Sequence, residues 1–178
     1  CDNDVMNQRL NHAIEEAGGE VITTPHADYV KISLDNVIRR TIYRGEYLKA
    51  AQHRLISSCI RLLEDKYYRY FENYLGPPKI INPGSLEKHL MKFNISPYHS
   101  GESYENILKI FYILENYPDV TLFVQANPAF CCPSLVTEAM TGEIRKITGV
   151  PVVTLTYDGT EDYKNDIIIP YLQGLKIT

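Results

Sequence analysis

Asn127-Pro128-Ala129-Phe130-Cys131-Cys132-Pro133-Ser134 is the stretch on which the reading of this chain turns. It follows an apolar β-like segment, Val120-Thr-Leu-Phe-Val124, and precedes an amphipathic helical pattern from Ser134 to Thr148. That order places two adjacent thiols in a strand-to-helix loop. In an open α/β sheet, ligands bind at such loops, outside the carboxyl ends of the strands. A helix amino-terminus also favours thiolate over thiol, through its free N–H groups and partial positive charge. The setting is that of a metal or redox ligand pair. The plain alternative makes both cysteines small buried hydrophobes, with Cys132 merely preceding Pro133 at the start of the helix.

Working outward, Gly149 stops the helix and Pro151 to Thr156 reads as a second strand. The loop Tyr157-Asp158-Gly159-Thr160 follows, then a last helix near Asp162 to Leu172. Upstream, Ile107, Ile110, Phe111 and Leu114 share one helical face. Before them lies the loop Ser96 to Ser103, and before that a short helix capped by Ser85 and running to Phe93. From Ser33 to Tyr74 apolar residues return mostly every three, four or seven positions, and Gly45 divides that region into two helices. Cys59 falls on the apolar side of the second and is expected in the core.

At the start, Val5, Met6, Leu10, Ala13, Ile14 and Ala17 predict a helix over 4–17, stopped by Gly18-Gly19. Glu20 to Thr24 reads as a strand ended by Pro25. A helix feeding a strand is half of a β-α-β unit, so a further strand is expected before the helix. Alternation of strands and helices implies a parallel sheet covered on both faces. The expected fold is α/β: a three-layer Rossmann-like parallel sheet with a helical insertion. Residues 1–178 form a single α/β domain in this reading, with 28–95 as the helical elaboration. The chain lacks an initial methionine and enters a helical pattern almost at once. It therefore reads as a piece of a longer polypeptide, with its first strand upstream.

With 178 residues the chain can bury a sizeable core, and 44% hydrophobic with 22% charged residues is ordinary for a globular protein. No apolar run reaches the length of a membrane span, and no signal-peptide pattern opens the chain. A net charge of −4 gives no reason to expect nucleic acid. Charge is uneven, however. Lys31 to Arg69 holds nine lysines and arginines against four acidic residues, a local surplus of five that leaves the remainder at −9. That region is either a solvated helical face or a contact surface for an acidic or phosphate-bearing partner. The tyrosines at 67, 68, 70 and 74 follow helical spacing and suit a core edge better than a base-stacking platform. Four cysteines without a C-x-x-C pair suggest a reduced, cytoplasmic setting and no structural zinc site built by this chain alone.

The loops at 127–133 and 157–160 hold the chemistry, and 96–103 joins them if it folds over the same edge. Together they offer Cys131, Cys132, Tyr157 and Asp158, with His99, Ser100 and Glu102 as further catalytic candidates. Soft thiolates select iron–sulfur clusters, copper(I) or zinc. One or two cysteines cannot complete a four-iron cluster, so other ligands would come from elsewhere. A nucleophilic Cys131 with His99 as base is a separate reading that needs the two within hydrogen-bond reach. Asp158-Gly159 also reads as a plain turn, His99 as a loop histidine, and Glu102 as a residue favouring a helix start. No G-x-G-x-x-G or Walker loop is present.

Asn127-Pro-Ala-Phe-Cys-Cys-Pro-Ser-Leu-Val-Thr-Glu-Ala-Met140 resembles a segment of the 2-hydroxyacyl-CoA dehydratase superfamily. So do Thr148 to Thr160 and Lys164 to Tyr171. Asp2 to Gln8 and Ser96 to Glu102 are similar to its activase-linked branch, the CoA-substrate-specific enzyme activases. The resemblance covers nearly the whole chain. It implies stacked Rossmann-like domains holding an iron–sulfur cluster, such as 4Fe-4S, between cysteines of different domains. It also implies low-potential electron transfer driven by an ATP-dependent activator. By motif position Cys131 corresponds to the family's carboxyl-terminal cluster cysteine. Cys132 is an extra thiol that the classical dehydratase subunits tend to lack. The implied partners are the remaining domains of the same protein, the activator, an acyl-CoA substrate and, as one form of assembly, a homodimer. Nucleic acid and membrane are not among them. The isolated chain is expected to be inactive as an enzyme and to hold no cluster by itself. The rival reading is a non-catalytic docking domain for an activator or neighbouring domain. A cysteine-dependent hydrolase or transferase ranks below it.

Overall fold

A computed structural model describes residues 4–23, 26–75, 83–96, 98, 103–160 and 163–175. The described residues are mostly helical, with a small parallel sheet of two strands. The chain divides into two compact units, 25–112 and the pair 1–24 with 113–178.

The unit at 25–112 contains α2 (His26–Tyr43), α3 (Tyr47–Tyr68), α4 (Glu72–Leu75), α5 (Pro83–Lys92) and most of α6 (Ser103–Asn116). Gly45 stands between α2 and α3 at φ +75°, the left-handed conformation that lets a helix stop and a chain turn, as its position in the sequence suggested. Ile107 and Leu90 are fully buried, and Ile110 and Phe111 follow Ile107 on the buried side of α6. His89 stacks on Phe111 with ring centroids 3.9 Å apart. Lys31 Nζ donates to both oxygens of Glu64 at 3.0 Å, which ties α2 to α3. Ser33 Oγ donates to Glu105 Oε1 at 2.7 Å, which ties α2 to α6.

The unit made of 1–24 and 113–178 carries α1 (Leu10–Glu16), β1 (Phe123–Pro128), α7 (Cys132–Ala139), α8 (Thr141–Thr148) and β2 (Val152–Tyr157). A 3-10 turn over Lys164–Ile168 and α9 (Ile169–Leu175) close it. The strands run parallel with Phe123 beside Val152 and Pro128 beside Tyr157. Alternation sends Val124, Ala126, Val153 and Leu155 to one face. There they pack with Leu10 and Ile14 of α1, Ile168 and Leu172 in an apolar core. The odd-numbered positions of β1 go to the other face, where Gln125 Nε2 donates to Ser134 O of α7 at 3.0 Å.

Several elements differ from expectation. The first helix covers only Leu10–Glu16, because Gln8 and Arg9 both take positive φ and fold 4–9 into turns. Glu20 to Thr23 form no strand, and Thr24 lies outside the described residues. Val21 instead lends its side chain to the core, which it does without pairing its backbone to β1 or β2. β1 begins three residues later than predicted, since Val120 N is taken by Tyr117 O in the turn after α6. The helix predicted over 134–148 is two, α7 and α8, which meet at Met140, where φ −100° and ψ 0° leave the helical range. The last helix is a 3-10 turn before Pro170, whose missing N–H suits the first turn of α9. Cys59 is exposed rather than in the core. Among the described residues, then, the sheet has two strands where a wider one was expected.

Candidate functional site

β1 and β2 end side by side, and their following loops leave the sheet together. The register continues for one residue past the strands, where Ala129 N donates to Tyr157 O at 2.9 Å. The loop 129–131 therefore lies against the start of the loop 158–160. Cys131 is the N-cap of α7, in extended conformation at φ −72° and ψ 104°. Its carbonyl accepts the first helical bond from Leu135 N at 3.0 Å. Its thiol makes no capping bond and is half-buried. Cys132 is the first helical residue and its side chain is exposed. Pro133 follows within the first turn, where its lack of an N–H costs nothing.

Phe130 turns the corner between strand and helix at φ +64°. A left-handed conformation is costly for a bulky side chain. The ring is nevertheless 92% exposed, so packing among the described residues does not offset that strain.

Beneath the loop runs a row of polar side chains that sequence reading did not single out. Asn127, nearly fully buried, donates through Nδ2 to Thr156 Oγ1 at 3.1 Å across the sheet. Its Oδ1 accepts from Gln125 Nε2 at 3.3 Å. Gln125 and Thr154 are register partners, and Gln125 Oε1 and Thr154 Oγ1 are buried without a hydrogen-bond partner among the described residues. The alternation Gln125-Ala-Asn127 beside Thr154-Leu-Thr156 was the available signal. Period-two polarity marks a face that packs through hydrogen bonds rather than apolar area.

On the β2 side, Asp158 Oδ1 accepts from Thr160 N at 3.0 Å, Thr160 Oγ1 at 2.7 Å and Lys164 Nζ. The Lys164 and Thr160 hydrogen bonds hold its carboxyl well below the usual range. Asp158 thus closes its own loop as an Asx turn, which was the plain reading of Asp158-Gly159. Tyr157, on the core face of β2, donates its hydroxyl to Asn165 Oδ1 at 2.7 Å. Burial pushes its phenol up to about 12.

The structure brings Cys131, Cys132, Tyr157 and Asp158 to one edge of the sheet. His99, Ser100, Glu102 and Cys1 lie outside the described residues. Among the described residues no three of His, Cys, Asp and Glu converge in a group that could hold a metal ion by itself. No helix among them is long and apolar enough to cross a membrane. In comparisons with known proteins, the chain matches no family model, no curated protein and no solved structure.

Proposed function

We propose that this chain is the carboxyl-terminal domain of a 2-hydroxyacyl-CoA dehydratase-like protein, and that Cys131 supplies one thiolate to an iron–sulfur cluster shared with other domains. The observation that carries the reading is the placement of Cys131. It is a half-buried, uncommitted thiol at the N-cap of α7, on the carboxyl edge of the sheet. The donor set fits one ligand position, or two if Cys132 joins, and the remaining ligands belong to other domains. When bound, such a cluster passes single electrons at a low potential, here to a substrate of the acyl-CoA class with an ATP-dependent activator as donor. This chain's residues hold the ligand in place. The Gln125–Asn127–Thr156 hydrogen bonds and the Gln125 bond to Ser134 O fix α7 against the sheet, and so fix where its N-cap lies. The exposed Phe130 beside the thiols supplies apolar cover that would keep water from the cluster, and exclusion of water tunes its potential. In this reading the two strands belong to a larger three-layer Rossmann-like sheet.

The test is the iron and sulfide content of the intact protein purified without oxygen. Cys131→Ser is expected to lose the cluster, whereas Asp158→Asn keeps it. Full cluster content in Cys131→Ser would overturn the assignment. The nucleophile reading with His99 as base is separated by the same variant, which would then lose turnover while keeping iron.

A further inference from the structure

Helix α3 packs with an unusual face inward. Ala50 and Ser57 are buried, and His53, Ile60, Glu64 and Tyr68 are half-buried on the same side. The large aliphatic residues point the other way. Leu48, Leu55 and Leu62 are 84%, 67% and 69% exposed, with Ile56 and Leu63 exposed beside them. Cys59 is exposed in the middle of this stripe. At 100° per residue, all of these lie within about 60° of Cys59 around the helix.

The stripe is symmetric in sequence about Cys59. Leu55 and Leu63 stand four residues before and after it, Ile56 and Leu62 three, and Gln52 and Lys66 seven. Leu48 stands eleven before and Tyr70, in the turn after α3, eleven after. A two-fold interface uses the same patch on both copies, so it demands a surface that complements itself. An antiparallel pair of α3 helices centred on Cys59 meets that demand. It sets Leu55 in one layer with Leu63 of the second copy, Ile56 with Leu62, and Cys59 with Cys59.

Charge selects the direction. Lys66 is the one charged residue within the stripe. The antiparallel pair sets it against the neutral Gln52, whereas a parallel pair would set it against a second Lys66. Area suits a weak, reversible pair. The five aliphatic side chains offer roughly 500 Å² per helix and roughly 1,000 Å² for the pair when fully covered, the size of a transient interface. We propose that α3 pairs antiparallel with α3 of a second copy of this chain, across a two-fold axis beside Cys59. The pairing is independent of the cluster reading.

Sedimentation velocity on the full chain, from about 1 to 100 μM, should show a reversible dimer. Leu55→Glu and Leu62→Glu should each weaken it by at least about tenfold, as centrally placed anchors do. In a chain whose only cysteine is Cys59 (C1S, C131S and C132S), diamide should convert the two Cys59 thiols to an intermolecular disulfide, taking up the two electrons and two protons released. In a chain without native cysteines, Gln52→Cys with Lys66→Cys should cross-link, and Gln52→Cys alone should not. A monomer at 100 μM, a dimer in which Cys59 does not cross-link, or cross-linking of Gln52→Cys alone would each overturn the proposal. If the glutamate variants fail to fold, by circular dichroism, the cysteine variants decide it, because they leave the leucines in place.

Discussion

Tyr157 and Asn165 form a clamp that joins the end of β2 to the turn at Asn7 and Gln8. The Tyr157 hydroxyl donates to Asn165 Oδ1 at 2.7 Å, while Asn165 Nδ2 donates to Asn7 O at 3.2 Å and Gln8 O at 2.8 Å. Gln8 adds a bond of its own, from Nε2 to Thr160 O at 3.1 Å. Asn7 Oδ1 in turn accepts from Leu10 N, the first residue of α1, at 3.3 Å. One buried amide thus holds the left-handed turn at Gln8 and Arg9 that sets where α1 begins.

Asn165→Ala should be destabilising by about 2–3 kcal/mol, because it takes away the partner of the Gln8 carbonyl and of the half-buried Tyr157 hydroxyl, while Asn7 O keeps its bond from Leu10 N. For a chain of this length that lowers the melting temperature by roughly 4–12 °C. Tyr157→Phe removes a single bond and should cost about 1 kcal/mol. Urea denaturation of both variants checks the ranking. Equal losses would mean that the clamp to Asn7 and Gln8 contributes little.

The phenol of Tyr157 has an alkaline signature. Its pKa rises from 10.0 to about 12 through burial, so the folded state holds this proton more tightly than the unfolded chain. The contribution is fully present below pH 10 and is lost as pH rises toward 12. Wild type should therefore lose stability across that window more steeply than Tyr157→Phe. Parallel slopes in denaturation series from pH 8 to 11.5 would show that the phenol does not govern the alkaline limb. Asp158 acts at the other end. Its lowered pKa gives a contribution present above the ordinary carboxylate range and lost as pH falls, so Asp158→Asn should flatten the acid limb.

The two thiols of the loop should differ in reactivity by access. Cys132 is exposed on the first turn of α7, and Cys131 is half-buried at the cap. Maleimide labelling followed by mass spectrometry should modify Cys132 first. Faster labelling of Cys131 would place its sulfur outward and weaken its role as a sheltered ligand.

Phe130 tests whether strain is kept for function. Asparagine tolerates the left-handed conformation better, and the exposed ring makes little packing contribution among the described residues. Phe130→Asn should raise stability by up to about 1 kcal/mol. If the cover is functional, the same variant should make a cluster in the intact protein more prone to loss in air. Lower stability in Phe130→Asn would mean that the ring packs in solution.

Elements with local causes are legible in the amino-acid order. Gly45 and Gly149 end helices because a left-handed residue is needed there, and both take φ near +75°. The strand read over Pro151 to Thr156 is β2, shifted by one residue, and the strand-to-helix passage at 127–133 put Cys131 near a helix amino-terminus, although the cap is Cys131 where Pro133 had pointed to Cys132. What those elements face follows from long-range contacts. Helical spacing in α3 is the same whether its leucines enter a core or point to solvent. The inward face is settled instead by small residues that let α2 approach and by the Lys31–Glu64 pair, both long-range terms. Glu20 to Thr23 have the composition of a strand, but a strand exists only where a neighbour supplies hydrogen bonds, and Val21 finds a core contact without one. Asn165 reads as an ordinary polar residue, and its weight comes from partners more than 150 positions away in the chain.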